Sequence, residues 1–312
     1  MENPFTIISG RFKKIIQLSY VLLVAAALIY FFIKAYSDLE GKTFTVEYIR
    51  LGASFLFYGC SFIPMIIGWY VITKKAGVDL TKKKTWRYWV YSQMGKYIPG
   101  KIWMVTSRAY MYKKENVLVR DISYLFILEN LMAVTSAGLF GVISLVLIKS
   151  SGSVIWLLTA LLMIVLGFVF IKTDIIHFIL SKLLKILKKG ELREFNIPNK
   201  DLLGIFFIYL LQWMFIISGF YLFVTALSQI GLHQFFYTSA AITLAASLGF
   251  IVLFAPAGLG VREGILVLIL GQVVTTSTAI VISVAFRIFV TIVELFVLLL
   301  TKVFTREVGS KI

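Results

Sequence analysis

Long apolar runs alternate along this chain with short clusters of lysine and arginine, and that alternation predicts membrane-spanning helices. Full spans are expected at about residues 15–36, 48–73, 122–148, 154–171, 202–230 and 278–300, each near the roughly 20 residues that cross a hydrocarbon core. Two further apolar segments are interrupted. One, at about 86–111, carries Pro99-Gly100, with Ser92, Gln93, Lys96 and Lys101 crowding its middle. The other, at about 235–274, is broken at Pro256-Ala257-Gly258-Leu259-Gly260. The expected fold is therefore an all-α, polytopic helical membrane bundle of about six full spans plus two broken or re-entrant segments. Between 175 and 187 the apolar residues recur at helical spacing with lysines opposite, the pattern of a helix lying on an anionic leaflet.

The cations fix the orientation. Basic clusters at Lys74–Arg87, Lys113–Arg120, Lys172–Lys200 and Lys302–Lys311 belong inside, and the cation-poor loops near Asp38, Ser150 and Gly231 belong outside. Both termini are then cytoplasmic, in a multi-pass protein of the inner (cytoplasmic) membrane of bacterial or archaeal type. A segment 86–111 that crossed the bilayer would carry Lys113 and Lys114 to the outer side. A hairpin entering and returning from the cytoplasm keeps them inside, provided protein or a watery cavity covers its broken backbone. Counted so, each half has two spans, a broken segment and one more span. The halves 1–150 and 151–312 of this single membrane domain are expected to be inverted relative to each other, as in transporters whose sites form at paired broken helices.

Composition narrows the classes. Hydrophobic residues are 60% and charged residues 15%, against about 25% charged in soluble domains. The net charge of +16 lies in loops between spans, so it is read as affinity for anionic lipid, with no nucleic-acid role. One cysteine, Cys60, excludes an internal disulfide, and His177 and His233 have no ligand-like spacing. No metal and no cofactor are expected. The apolar run after Arg11, Lys13 and Lys14 lacks a small-residue cleavage site, so it is read as an uncleaved first helix. No phosphate-loop motif is present, so ATP hydrolysis is not expected.

Charges at membrane depth carry the candidate chemistry, because each costs about 2.5–3.5 kcal/mol to insert. Glu129 lies within the third span, and Arg287 and Glu294 lie seven residues apart on one face of the last, with Ser283 and Thr291 extending the stripe. Arg262 and Glu263 follow the second break; Lys101 and Arg108 follow the first. Arg287 and Glu294 have the alternative of pairing with neighbouring helices, Glu129 that of a structural hydrogen bond, and Lys101, Arg108 and Arg262 that of flanking cations. Together they suit an oxyanion. A half-helix after a break presents free N–H groups, and arginine binds phosphate bidentately.

Two stretches carry a resemblance: Gly95-Lys96-Tyr97-Ile98-Pro99-Gly100-Lys101-Ile102-Trp103 with Arg108 following, and Pro256-Ala257-Gly258-Leu259-Gly260-Val261-Arg262-Glu263-Gly264. In these the chain resembles the flippase-like membrane family, also called the lysylphosphatidylglycerol synthase transmembrane region, over nearly its whole length. The resemblance implies a bundle with broken helices that moves a lipid or sits beside an enzyme that modifies one. By motif position it implies roles for Pro99, Gly100, Lys101 and Arg108, and for Pro256, Gly258, Gly260, Arg262 and Glu263. Glu129, Arg287 and Glu294 rest on the burial argument. No soluble aminoacyl-transfer domain follows the spans, so the chain is not expected to be an enzyme itself. The leading expectation is a flippase-like translocator of an anionic phospholipid or polyprenyl-phosphate-linked headgroup, partnered by membrane lipids and by a lipid-modifying enzyme or glycosyltransferase. The alternative is a membrane transferase, or a scaffold for a glycosyltransferase in envelope synthesis. A transferase needs acidic clusters, and the loops offer only scattered acids such as Asp79, Asp121 and Asp174.

Overall fold

The computed structural model describes residues 46–97, 102–148, 197–251 and 260–305, together with 29, 30, 33, 37 and 195. The expected fourth span, the amphipathic stretch 175–187, nearly all of the first span, and the candidates Pro99, Gly100, Lys101, Pro256 and Gly258 lie outside the described residues.

Among the described residues the regular structure is helical: α1 (Tyr48–Cys60), α2 (Phe62–Lys75), α3 (Lys82–Gln93), α4 (Ile102–Lys113), α5 (Val119–Leu147), α6 (Asn199–Leu227), α7 (Phe235–Ile251), α8 (Val261–Leu270) and α9 (Thr276–Phe304). A short 3₁₀ turn, Met94–Tyr97, extends α3. Four units are long and apolar enough to span: Tyr48–Lys75, Val119–Leu147, Asn199–Leu227 and Thr276–Phe304. Their ends fall within a few residues of the expected ones. The first is interrupted at Ser61, where α1 gives way to α2. Pro64 has no N–H to donate to the preceding turn, and Ser61 instead tightens it, its Oγ donating to the Tyr58 carbonyl at 2.6 Å.

The remaining helices are shorter. Helices α3 and α4 have 12 residues each, about 18 Å at 1.5 Å per residue, well short of a 30 Å core. They pack on each other as a hairpin. Gly95 is what lets them: a Cβ there would lie 2.7 Å from the Met104 nitrogen and 2.8 Å from the Met104 Cα. The second broken segment behaves alike, with α7 and the 10-residue α8 folded against each other.

The two hairpins are rooted at opposite ends of the bundle. The first starts at the basic end, where Lys75 pairs with Asp201 at 3.0 Å, Lys84 with Glu115 at 3.0 Å, and Trp86 Nε1 donates to Thr301 Oγ1 at 2.9 Å near the end of α9. The second starts at the other end, where the α5 terminus meets α7 through Ser144 Oγ and Ser239 Oγ at 2.7 Å and where α8 turns into α9. The order of span, hairpin, span thus occurs twice among the described residues, in opposite senses.

Within lipid, apolar burial does not drive helices together, so close approach and polar contacts must. Antiparallel α1–α2 and α6 show both. Ser54 Oγ donates to the Gly219 carbonyl at 2.7 Å, a Cβ on Gly219 would lie 3.0 Å from the Tyr58 nitrogen, and one on Gly68 would lie 2.8 Å from the Tyr209 ring. Helix α7 meets α5 through small residues, with Ala240, Ala241, Thr243 and Ala245 buried and Gly141 against Thr243.

Candidate functional site

Helix α9 is the ruler against which both hairpin tips are placed. Its middle residue is Val290, from the bounds 276 and 304. The first hairpin starts beside Thr301 and ends with Tyr97 OH donating to Thr291 Oγ1 at 3.3 Å and to Glu294 Oε2 at 2.6 Å. Over the ten residues from 301 to 291 it reaches about 15 Å inward. There Lys96 forms an ion pair with Glu294. The second hairpin arrives from the other side, and Glu263, in the first turn of α8, pairs with Arg287. Arg287 and Glu294 lie three and four residues from Val290, about 4.5 and 6 Å along the axis. Both tips therefore stop near half depth, against one helix.

Local geometry explains the second motif. Gly260 has φ +82°, a left-handed conformation that only glycine adopts without cost, and it turns the chain into α8. Its N–H donates to Glu263 Oε2 at 2.8 Å, satisfying one orphan donor of the helix start, while the other carboxylate oxygen receives Arg287. One glutamate thus closes the helix end and anchors α9. Gly249 on α7 clears space for Arg262, since a Cβ there would lie 2.6 Å from the Arg262 Cγ and 2.9 Å from its Nε.

Accessibility divides the cluster by charge. Glu263 and Glu294 are each 4% exposed. Lys96 and Arg287 are part-exposed at 29% and 32% of their side chains, and Arg262 and Tyr97 are exposed. The carboxylates form the backing and the cations the open face. Arg262 makes no hydrogen bond or ion pair among the described residues, although Tyr58, Glu263, Glu294 and Arg287 all act on it electrostatically. Among the described residues, Lys96, Arg262 and Arg287 face Glu263 and Glu294, one more cation than carboxylates.

Arg108 and Glu129 are brought together with each other, in a second, closed cluster. Arg108 is fully buried, its guanidinium carbon 4.3 Å from the Trp69 ring centre and 5.0 Å from that of Phe126. It pairs with Glu129, and its Nε donates to Ser92 Oγ at 2.9 Å. Trp89 Nε1 donates to the other Glu129 oxygen at 2.6 Å. Through side chains of α2, α3 and α5 this pair clamps the first hairpin to the bundle, while Arg108 Nη2 finds no hydrogen-bond partner among the described residues.

Of the candidates, then, Arg262, Glu263, Arg287 and Glu294 meet at the tips, with Gly260 shaping one of them. Sequence reasoning left out Lys96, Tyr97 and Tyr58. Lys96 and Tyr97 stand inside the first motif, and their polarity in an apolar segment was the signal. Tyr58 sits in an unremarkable apolar run, and only the fold brings it to Arg262.

A family model described as the lysylphosphatidylglycerol synthase TM region matches residues 16–297. No curated protein matches the chain. The match covers nearly all of the sequence, and the chain belongs to this family.

Proposed function

We propose, with that membership as premise, that the chain is a flippase-like translocator of an anionic lipid across the cytoplasmic membrane. The observation that carries the reading is Arg262: an arginine that makes no ion pair among the described residues, at the half-depth meeting of two hairpins. A bare cation there is costly, and a phosphate offsets that cost by accepting two parallel N–H bonds. The apolar residues beside the cluster suit the tails. On α9 the polar stripe Arg287, Thr291, Glu294 adjoins Ile288, Ile292, Leu295 and Leu299, all exposed. A headgroup on the first stripe leaves its acyl chains along the second.

Opposite rooting of the hairpins supports alternating access. Each hairpin stands between the cluster and one surface, so moving one uncovers the site toward one leaflet. The basic end, with Lys74, Lys75, Lys82, Lys83 and Lys84, is the cytoplasmic one by the distribution of positive charge, which puts both termini inside. The halves 1–150 and 151–312 act in this scheme as the inverted pair. The chain supplies passage and no bond-making chemistry; a lipid-modifying enzyme or glycosyltransferase is its proposed partner.

The test is reconstitution into liposomes with fluorescent phosphatidylglycerol, following loss of fluorescence when an impermeant reductant bleaches the outer leaflet. Wild type exposes the inner-leaflet pool to bleaching, and Arg262→Ala protects it. Equal protection with wild type and empty liposomes overturns translocation. Product formation from a lipid-linked sugar without lipid movement points to the transferase reading.

A further inference from the structure

We propose that the root of the first hairpin is a docking site for anionic phospholipids of the leaflet at the basic end, separate from the half-depth cluster. The site is built around Tyr70. Lys74, in the last turn of α2, holds its ammonium 5.7 Å from the centre of the Tyr70 ring, and Lys82, which opens α3, holds its own 6.0 Å from the same centre. The corner between the two helices is fixed. Gly77 takes φ +76° and its N–H donates to the Lys74 carbonyl at 3.0 Å; the N–H of Val78, itself buried, donates to the Thr73 carbonyl at 2.9 Å. Two like charges are thus held at one ring by backbone geometry.

Local electrostatics oppose that placement. Lys82, Lys83 and Lys84 fill the first turn of α3, which has no acid, although a helix start already carries partial positive charge. Lys84 pairs with Glu115 and Lys75 with Asp201. Lys74, Lys82 and Lys83 are exposed and make no ion pair among the described residues. Other parts of the chain at this end do not make up the deficit, as the sequence alone shows. Residues 172–194 hold six cations against three carboxylates, 306–312 two against one, and 1–14 three against one. Each segment adds net positive charge, so the compensating anions come from outside the chain.

Depth and shape select a lipid over a soluble anion. Lys75 closes the span Tyr48–Lys75, so Tyr70 lies about 7.5 Å inside that end. An amphipathic ring at this level belongs to the interface, and lysine stems run along apolar surface to reach the headgroups. Ile63, Ile67, Tyr70 and Lys74 follow one another at spacings of four, three and four residues and share one face of α2, with both isoleucines exposed. A phosphodiester at Lys74 and Lys82 therefore has its acyl chains beside Ile67 and Ile63. The other foot of the hairpin repeats the pairing, with the Lys114 ammonium 5.1 Å from the centre of the exposed Tyr110 ring.

Hydrogen exchange of the full chain in nanodiscs, read by mass spectrometry, tests this. Discs of phosphatidylcholine are compared with discs of an equimolar mixture of phosphatidylcholine and phosphatidylglycerol. The corner and the start of α3, residues 76–86, are expected to exchange at least about fivefold more slowly in the mixed discs, the worth of one lysine near an anionic surface. Lys74→Gln with Lys82→Gln abolishes the difference, and Lys74→Arg with Lys82→Arg keeps it. Both lysines are exposed, and unchanged exchange in α6 checks the fold.

Equal exchange in the two kinds of disc overturns the proposal. So does a difference that survives in the glutamine variant, because the surface potential of the disc acts on every variant alike. Slowing by inorganic phosphate in phosphatidylcholine discs overturns the lipid assignment in favour of a soluble anion. Arg262→Ala separates the two sites: it is expected to leave the slowing intact, and loss of the slowing there assigns the effect to lipid at the half-depth cluster and overturns the separate site. Failure of lipid movement in the liposome assay sinks translocation and leaves this docking site standing.

Discussion

The Arg108–Glu129 pair permits a sharp test of how the first hairpin is held. Arg108 is fully buried, Glu129 is 5% exposed, and the aromatic rings around them keep out solvent. Removing one partner strands the other charge, which costs about 3–5 kcal/mol in buried pairs. Arg108→Met leaves a bare carboxylate; Glu129→Leu leaves a bare guanidinium; each should fall in that range. The double variant leaves no charge behind. Its main deficit is the orphaned Trp89 Nε1 donor, about 1–3 kcal/mol, while the thioether regains contact with the Trp69 and Phe126 rings worth about 0.3–1.5 kcal/mol. The double variant should therefore be more stable than either single one. Unfolding in mixed micelles of rising dodecyl sulfate fraction, followed by tryptophan fluorescence, gives the three free energies. If the double variant loses the sum of the two single losses to within about 0.5 kcal/mol, the residues do not act as a pair and the clamp reading fails.

Other expectations can be checked in the same way. Gly95→Ala drives a Cβ into the Met104 backbone at 2.7 Å, so it should cost at least about 1–3 kcal/mol as an overpacking change; Gly52→Ala, with open space around it, should be neutral or slightly stabilising. Gly260→Ala forces a side chain into φ +82° at about 1–2 kcal/mol, visible as a lower unfolding midpoint at unchanged expression. The Glu115 carboxyl is held below the usual carboxylate range by the hydrogen bond it accepts from Tyr88 and then by Lys84. Because its folded value is depressed, its contribution is complete above the ordinary glutamate value of about 4.3 and is lost as pH falls below that. Glu115→Gln should flatten the stability loss between neutral and strongly acidic pH, and an unchanged slope refutes the assignment.

The spans were legible because hydropathy is a one-dimensional property: 20 apolar residues read the same in sequence as in lipid. The interruptions were legible too, since Gly260 stands where only glycine tolerates the turn and Gly95 where two backbones touch. Partners were not. Nothing in the spacing of Arg108 and Glu129 says that they face each other inside an aromatic cage, while Arg287 and Glu294, one stripe on one helix, divide between two hairpins. The break at Ser61 was missed as well, because a proline inside an apolar run reads as ordinary when the run is taken for one unbroken span. Side-chain choice at depth depends on which helices become neighbours, and that is decided by packing between distant segments.

The charge of Arg262, unpaired among the described residues, bears on what else could pass through the proposed translocator. Water that reaches this arginine brings with it the danger of leak, since a wet hollow serves sodium ions and protons as readily as headgroups. A small cation about 6 Å from one net positive charge, at an effective dielectric constant of about 20, is raised by roughly 3 kcal/mol. That lowers its occupancy about a hundredfold. If the proposed site is wet, the same guanidinium that would bind an oxyanion would also hold small cations back while no lipid is bound.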